Sequence, residues 1–278
     1  MIHYTKIKCL RNAFILPCSF LLTFLIPLSV LHAQVLNLDR EVTADSLKKK
    51  YSFAGTFFLS SDKQKNNLLD VSGNLEFNRI FKNKYVLISL FRSDAVFNGD
   101  QMIQNEGMCH LRYRDNDHRK LSTEIFAQYQ WNGAWGMIFR NLYGSNLRVK
   151  IFEKEHRDLY GGIGGFYEIE RWDWRGVKSE LIPLEAKNIA REMWRMNTYL
   201  KASAKLSKNI DVSATSYLQF PMNDQFFLPR WYMETNLFIN ATGNLSFVLH
   251  WDHLRDLNRV VPIDDFFYTF SMGIQLTL

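Results

Sequence analysis

The final stretch of the chain, Phe266 to Leu278, alternates apolar and polar side chains in a way that few folds can accommodate. Its apolar positions are Phe266, Tyr268, Phe270, Met272, Ile274, Leu276 and Leu278. A period of two predicts a β-strand with one apolar and one polar face. The stretch carries no charge, and its thirteen residues exceed the roughly 9–11 that a tilted strand needs to cross a bilayer. We therefore expect a membrane-spanning strand whose apolar face contacts lipid.

The same end of the chain resembles the insertion signal of bacterial outer-membrane barrels, which has a hydrophobic final residue and apolar positions at steps of two. The residues that carry this likeness are Tyr268, Phe270, Met272, Ile274, Leu276 and Leu278. The likeness implies that the barrel-assembly machinery binds this segment during insertion into the bacterial outer membrane. We expect outer-membrane lipids to be the lasting partners of the protein, and we expect the protein to be a monomer.

The amino-terminal residues have the organisation of a secretory signal peptide. Three basic residues precede an apolar run at 13–31, and the small residue Ala33 follows it. A retained membrane anchor is the alternative, but Pro17 and Pro27 interrupt the run, and a stable spanning helix would more usually lack them. The sequence therefore predicts three segments: a cleaved signal peptide at 1–33, a polar periplasmic segment at 34–50 and a barrel at 51–278.

Removal of the leader changes the charge balance of the chain. Three of the 34 basic residues lie in the leader, which leaves 31 against 28 acidic residues. A mature net charge of about +3 gives little support to nucleic-acid binding. Cys9 and Cys18 are removed with the leader, so Cys109 is the one cysteine left and no internal disulfide can form.

The alternating pattern recurs along the rest of the chain and predicts twelve strands. Their ranges are 51–60, 69–78, 85–94, 107–114, 121–131, 135–151, 159–170, 192–206, 210–220, 230–241, 245–253 and 266–278. Prolines are few, aromatic residues are many, and no flexible linker divides the chain. The sequence thus predicts one all-β domain, an antiparallel up-and-down transmembrane β-barrel.

The predicted connections between these strands differ in length in a regular manner. The even-numbered ones are short: 82–84, 115–119, 153–158, 207–209 and 242–244. The odd-numbered ones are longer, apart from the hairpin at 132–134: 61–67, 95–106, 172–191, 221–229 and 254–265. Outer-membrane barrels have short periplasmic turns and longer outer loops, so the pattern predicts that both ends of the barrel chain lie on the periplasmic side.

The polar faces of the predicted strands carry charged side chains of both signs. The lumenal charge network that we predict comprises His110, Arg112, Glu124, Arg140, Arg148, Glu168, Glu170, Arg195, Glu234 and Asp252. The same faces also hold Arg114, Lys201, Lys205 and Arg230. An Arg or Lys that faces lipid near the bilayer midplane costs about 2–4 kcal/mol, so these faces should point inward. Two interpretations stay open: a salt-bridged interior that plugs and stiffens the barrel, and a narrow polar pore for solutes.

Four glycines lie close together in the seventh predicted strand: Gly161, Gly162, Gly164 and Gly165. A phosphate-binding glycine loop would open onto a helix, whereas the context here is strand throughout. We expect these glycines to mark a bend or a close side-chain neighbour.

The rival classes are an outer-membrane enzyme that modifies lipids and a soluble β-barrel lipid binder. A lipase-like site would need Ser and His together on outward-facing positions near the outer rim. His110 and His250 are predicted to point inward, and His118 and His156 lie in turns. His253 lies near the outer rim, but no serine motif accompanies it. We therefore predict that the protein is not an enzyme and has no catalytic residue, metal or cofactor.

Three further stretches complete the sequence evidence: Asn105 to Arg114, Glu124 to Tyr129, and Arg140 to Gly144 with Arg148. They resemble the salt-induced outer-membrane protein family, a family of bacterial barrels of unknown function. The resemblance extends from about Tyr51 to the carboxy terminus, and Asn146 stands where relatives often carry glycine. It implies an outer-membrane barrel of about this size, and it carries over no ligand, cofactor or catalytic residue.

Overall fold

A computed structural model describes residues 50–63, 67–81, 85–98, 101–115 and 120–278. The predicted signal peptide lies outside these residues, as does all but the last residue of the predicted segment 34–50. Tyr51, at the predicted start of the barrel, is the first residue of the first strand.

Twelve β-strands make up most of the described chain. Their bounds are β1 Tyr51–Lys63, β2 Asn67–Phe81, β3 Tyr85–Asn98, β4 Gln101–Asp115, β5 Leu121–Asn132, β6 Met137–Lys154, β7 Arg157–Trp172, β8 Ile189–Ser207, β9 Ile210–Pro221, β10 Arg230–Asn240, β11 Leu245–Asp256 and β12 Phe266–Thr277. A single turn of 3-10 helix, Ser179–Leu181, lies between β7 and β8. No helix in the described ranges is long and apolar enough to cross a bilayer.

The strands form a closed barrel. Each strand pairs in antiparallel fashion with its neighbours in the chain, and β1 pairs with β12. In this closing pair, Ala54 lies opposite Thr277, and Phe58 lies opposite Gly273. Closure provides partners for the backbone groups that an open sheet would leave unpaired at its edges. The predicted antiparallel barrel and its predicted twelve strands are confirmed.

The two ends of the barrel differ in their connections. At one end, which we call the turn end, the strands are joined by 82–84, 116–120, 155–156, 208–209 and 241–244. At the opposite end, the loop end, the connections are 64–66, 99–100, 133–136, 173–188, 222–229 and 257–265. The turn-end connections are all short, as predicted, but only the last three at the loop end are long.

The predicted loops 61–67 and 95–106 are largely wrong. β1 continues to Lys63 and β4 begins at Gln101, so that residues 64–66 and 99–100 are all that lies between these pairs of strands. The regular apolar alternation of the sequence is interrupted there, but backbone pairing continues, because cross-strand hydrogen bonds do not require apolar side chains. The β1–β2 and β3–β4 ladders therefore extend past the predicted strand ends.

The outer face of the barrel is apolar over its middle. Large hydrophobic side chains are exposed around it, for example Phe57 (54%), Ile125 (58%), Leu200 (55%) and Phe270 (55%). Exposed charged side chains on the strands lie near strand ends, among them Arg79, Arg171, Glu192, Lys205 and Arg255. Lys205, which the sequence pattern predicts on the inner face, is one of these, so that prediction is wrong. The polarity of the barrel is thus the inverse of that of a water-soluble protein, in which apolar side chains are buried preferentially.

An apolar cap covers the interior at the loop end. Three connections contribute to it: Trp135 from 133–136, Val177 from 173–188 and Val261 from 257–265. The ring of Trp135 lies 4.5 Å from the ring of Phe267, centroid to centroid. The first two connections are joined by their backbones, since Asp173 N donates a hydrogen bond to Gly136 O at 2.7 Å. Gly136 has a φ of 80°, which a residue with a side chain rarely adopts.

Candidate functional site

The interior of the barrel holds the charged residues that the sequence singles out. Each of the ten residues of the predicted network is at most 5% exposed. Nine of them belong to three groups of side chains described below, and the tenth is His110, whose Nδ1 lies 3.1 Å from Gln128 Oε1 and whose ring stacks on Phe126.

The first group lies near the loop end, and we call it the loop-end cluster. It consists of Arg140, Glu168, Glu170, Arg191, Arg195, Arg230 and Asp256. Glu168 is its centre, because it binds Arg195 Nε at 2.5 Å and Arg230 Nη1 at 2.7 Å. Arg140 Nε lies 3.3 Å from the same carboxylate and 2.5 Å from Glu170. Charge-assisted hydrogen bonds of this kind are stronger than those between neutral groups. They fix five strands relative to one another: β6, β7, β8, β10 and β11.

One loop residue joins this cluster to the apolar cap. Asn258, in the β11–β12 connection, accepts hydrogen bonds through Oδ1 from Arg191 Nη1 at 2.8 Å and from Arg195 Nη2 at 3.2 Å. Its Nδ2 donates to Gln225 Oε1 in the β9–β10 connection at 2.6 Å. Its backbone N–H donates to Asp256 Oδ1 at 3.0 Å. The two connections are therefore fastened to the ion pairs beneath them.

The second group lies near the turn end, and we call it the turn-end cluster. Its carboxylate is Glu124, and Nη1 of Arg112, Nη1 of Arg114 and Nε of Arg148 lie 3.7, 3.8 and 4.0 Å from it. The Tyr199 hydroxyl donates to Glu124 Oε2 at 2.9 Å. The guanidinium carbon of Arg148 lies 3.5 Å from the centre of the Tyr160 ring, which is a cation–π contact.

Two of the four glycines in β7 have the close neighbours that the sequence predicts. A Cβ on Gly162 would lie 2.0 Å from Cε1 of Tyr199, so glycine is what allows this ring to reach Glu124. A Cβ on Gly164 would lie 2.0 Å from the backbone oxygen of Ser145 and 2.5 Å from the side-chain oxygen of Asn146. Around Gly161 and Gly165 the nearest atoms are at 3.5 and 3.3 Å. The prediction is confirmed for Gly162 and Gly164.

The third group is acidic and lies on β3, β4, β10 and β11; we call it the acidic cluster. It consists of Asp94, Glu106, Glu234 and Asp252, with Arg92 and His250 as the basic members. His250 Nε2 lies 2.7 Å from Asp252 Oδ2, and its Nδ1 lies 2.8 Å from Asn236 Oδ1. The Asn236 amide donates to Glu234 at 2.7 Å, which fixes its oxygen toward the histidine.

Charge is distributed unevenly over these groups. The loop-end cluster has four arginines against three carboxylates, and the turn-end cluster has three arginines against one. The acidic cluster has four carboxylates against Arg92 and His250. Among these members, arginines are in excess in the loop-end and turn-end clusters, and carboxylates are in excess in the acidic cluster.

Six members of these groups were not predicted from the sequence: Arg92, Asp94, Glu106, Arg191, Asp256 and Asn258. Glu106 and Arg191 fall in segments predicted to be loops, and Asp256 and Asn258 lie beyond the predicted end of β11. Arg92 and Asp94 could have been found, because they continue the inward-facing positions Val86, Ile88 and Leu90 at steps of two.

Small cavities lie between some of these side chains. Two cavities of about 60 and 30 Å³ lie on either side of the Arg92–Asn74 pair, in which Arg92 Nε donates to Asn74 Oδ1 at 2.9 Å. Elsewhere side chains meet across the interior, as Tyr199 on β8 does with Glu124 on β5.

The histidines proposed for an enzyme lie apart from one another. His253 is 5% exposed and packs between Trp231 and Trp251, with ring centroids at 4.5 and 5.2 Å. Neither of its ring nitrogens has a hydrogen-bond partner among the described residues. His156 is exposed in a turn, and His118 lies outside the described residues. Within the described ranges, no three or more His, Cys, Asp and Glu side chains have the arrangement of a metal site.

No protein-family model matches the chain, and no curated protein matches it in sequence. Several solved structures have a distant likeness to it. The NanC porin has a TM-score of 0.46 and 10% identity, over 81% of this chain and 97% of the porin. The translocator domain of the autotransporter NalP from Neisseria meningitidis has a TM-score of 0.43 and 7% identity, over 81% and 87% of the two chains. The β domain of the Bordetella autotransporter BrkA has a TM-score of 0.41 and 6% identity, over 82% and 98%.

Proposed function

We propose that this protein is an integral β-barrel of the bacterial outer membrane whose interior is closed by its own ion-paired side chains. The observation that carries the proposal is the inverted polarity of the barrel. Its outer face exposes apolar side chains, whereas its inner face buries charges.

The outer face is far more apolar than a water-exposed surface of this size. Contiguous apolar patches on soluble monomers are usually limited to a few hundred Å². Here exposed apolar residues surround the barrel, from Phe57 on β1 to Phe270 on β12, and the exposed charges lie near the strand ends. A bilayer stabilises this surface, because lipid chains cover the apolar middle and water reaches the charged ends.

The inner face supports a closed barrel more than an open pore. Glu168 and Glu170 are bound by arginines from several strands, and Tyr199 on β8 reaches Glu124 on β5 past the two strands between them. At the loop end, the apolar cap around Trp135 and Phe267 lies over these ion pairs. A structural barrel that presents its long loop-end connections at the cell surface is the function that this arrangement favours.

A gated solute pore is the second candidate. The observation that favours it is the separation of the interior into a basic and an acidic region, which a purely structural filling does not require. Passage would require the β11–β12 connection to move, because Asn258 fastens it to Arg191 and Arg195. The resemblance to the salt-induced outer-membrane protein family fits either candidate.

The two rival classes have less support. A soluble lipid binder needs an apolar interior and a polar exterior, and this barrel has the reverse. A lipid-modifying enzyme needs a base near a nucleophile, but the rim histidine His253 is enclosed by tryptophan rings. We therefore propose that the protein is not an enzyme.

Tryptophan quenching tests the membrane orientation of the side chains. The mature chain is refolded into vesicles whose acyl chains carry bromine, with a single tryptophan retained in each variant. Trp194, which is 58% exposed on the outer face, should be strongly quenched, and Trp172, which is 3% exposed, should be quenched little. Equal quenching of the two would contradict the proposed orientation.

A further inference from the structure

The barrel interior contains a small cavity that the ion pairs leave open. It encloses about 30 Å³ between β2, β3, β4, β11 and β12. Its walls supply side-chain oxygen atoms from Ser72, Asp94, Glu106, Asp252, Thr269 and Ser271. A water molecule needs roughly 10–15 Å³ of such space, so the cavity has room for about two small occupants.

Two carboxylate oxygens in this wall need a partner. Glu106 accepts a hydrogen bond from Asn132 through Oε2, but its Oε1 has no hydrogen-bond partner among the described residues. Asp252 contacts His250 through Oδ2, and its Oδ1 likewise has no hydrogen-bond partner in the described ranges. Glu106 is 0% and Asp252 2% exposed. Buried carboxylate oxygens normally have a hydrogen-bond or ionic partner. We therefore expect an occupant of the cavity to be the partner of these two oxygens.

The charges around the cavity define the chemistry of that occupant. Three residues of the cavity lining carry carboxylates, Asp94, Glu106 and Asp252, and two are basic, Arg92 and His250. Even if His250 is counted as a cation, the residues that line the cavity carry one negative charge in excess. A single monovalent cation would neutralise it.

We propose that the cavity binds one dehydrated monovalent cation of the size of Na⁺, which contacts Glu106 Oε1 and Asp252 Oδ1. The hydroxyls of Ser72, Thr269 and Ser271 complete its shell, since hard cations prefer oxygen ligands. The small volume excludes an organic cation such as choline. The site goes beyond the proposed function. It requires only the folded interior of the barrel, and it can exist whether or not the barrel conducts.

Thermal unfolding of the refolded mature barrel in detergent tests the site, at equal concentrations of sodium chloride and choline chloride. A cation at about five times its Kd should raise the midpoint by roughly 2–4 °C in a chain of this size. In the double variant Glu106→Gln/Asp252→Asn, the two midpoints should coincide. The amides retain acceptors for Asn132 and His250 but lose the negative charges. Glu124→Gln, which changes a buried carboxylate in the turn-end cluster, is the matched control and should keep the sodium effect.

Two outcomes overturn the proposal: equal midpoints for the unsubstituted barrel in both salts, or a sodium effect that survives in the double variant. If the double variant does not refold, sodium NMR relaxation of the unsubstituted barrel decides. Broadening of the sodium signal that depends on folded protein supports the site. A signal that is the same with folded and unfolded protein overturns it.

Discussion

The hydroxyl of Tyr199 on β8 donates a hydrogen bond to the carboxylate of Glu124 on β5 at 2.9 Å, inside the barrel and past the two strands that separate them. The ring reaches this position because it passes directly over Gly162, where any Cβ would lie 2.0 Å from Cε1 of the tyrosine. The contact couples a strand glycine, an aromatic ring and a buried charge. The interior of this barrel is therefore packed with specific contacts in the manner of a protein core.

Gly162→Ala should destabilise the barrel by roughly 1–3 kcal/mol, because the added methyl group displaces the Tyr199 ring. Gly161→Ala is the matched control. It lies next to Gly162 in the same strand, and the nearest atom to its Cβ would be at an ordinary 3.5 Å. Unfolding in urea, measured in lipid vesicles, provides the comparison. Equal stabilities of the two variants would show that Tyr199 does not lie over Gly162.

Glu168→Gln should cost roughly 3–5 kcal/mol of unfolding free energy, because Arg195 and Arg230 would remain buried without their shared counter-charge. The matched control is Glu153→Gln, which removes a carboxylate of 51% side-chain exposure that pairs with Lys150. An exposed pair of this kind contributes only about 0–1 kcal/mol. Urea titrations of both variants test the difference. A loss at Glu168 no greater than that at Glu153 would contradict the role of the loop-end cluster.

The sequence predicts which residues face inward far better than it predicts which of them meet. Inward orientation follows from alternation within a single strand, so the ten charged residues of the predicted network are all found buried. Contacts depend on strand tilt and register across the barrel. Glu124 and Tyr199 are 75 residues apart, and no local pattern relates them. The contacts of Asn258 could not be predicted for a different reason. It is a loop residue, and its hydrogen bonds form only when the loop folds onto Arg191 and Arg195.

An arginine on the outer face should be costly in the middle of a strand and tolerated near its end. Leu200→Arg on β8 should cost about 2–4 kcal/mol in vesicles, whereas Leu206→Arg near the turn end should cost about 0–1 kcal/mol. The two leucines are both exposed, at 55% and 63%, and differ mainly in their position along the strand. The comparison is again made by urea titration. Similar costs at both positions would argue against a bilayer around β8.

The apolar outward positions of β12 should be needed for assembly in cells. Replacing Phe270 and Met272 by serine should leave the chain in the periplasm, because these side chains form part of the predicted assembly signal. Thr269→Ser and Ser271→Thr, which alter inward-facing positions next to them, are the controls and should assemble normally. Fractionation of membranes and periplasm measures the result. Normal membrane insertion of the serine variant would remove these residues from the signal.

Asn258→Ala should loosen the β11–β12 connection without opening the barrel wall. The side-chain hydrogen bonds to Arg191, Arg195 and Gln225 would all be lost. We expect faster protease cleavage within 257–265, and short bursts of current in planar bilayers. Asn244→Ala, at the exposed turn end, is the control and should change neither property. An unchanged cleavage rate in Asn258→Ala would show that this residue does not hold the loop.

The most direct test of the closed interior is the conductance of the unsubstituted mature barrel in a planar bilayer. Insertion is established first by heat-modifiable migration and by quenching of Trp194 with brominated lipid. We predict that the inserted barrel passes no steady current, because the loop-end cluster and the apolar cap fill its cross-section. A steady current through the inserted barrel, altered when Glu124 or Arg140 is neutralised, would contradict the closed interior and establish a pore.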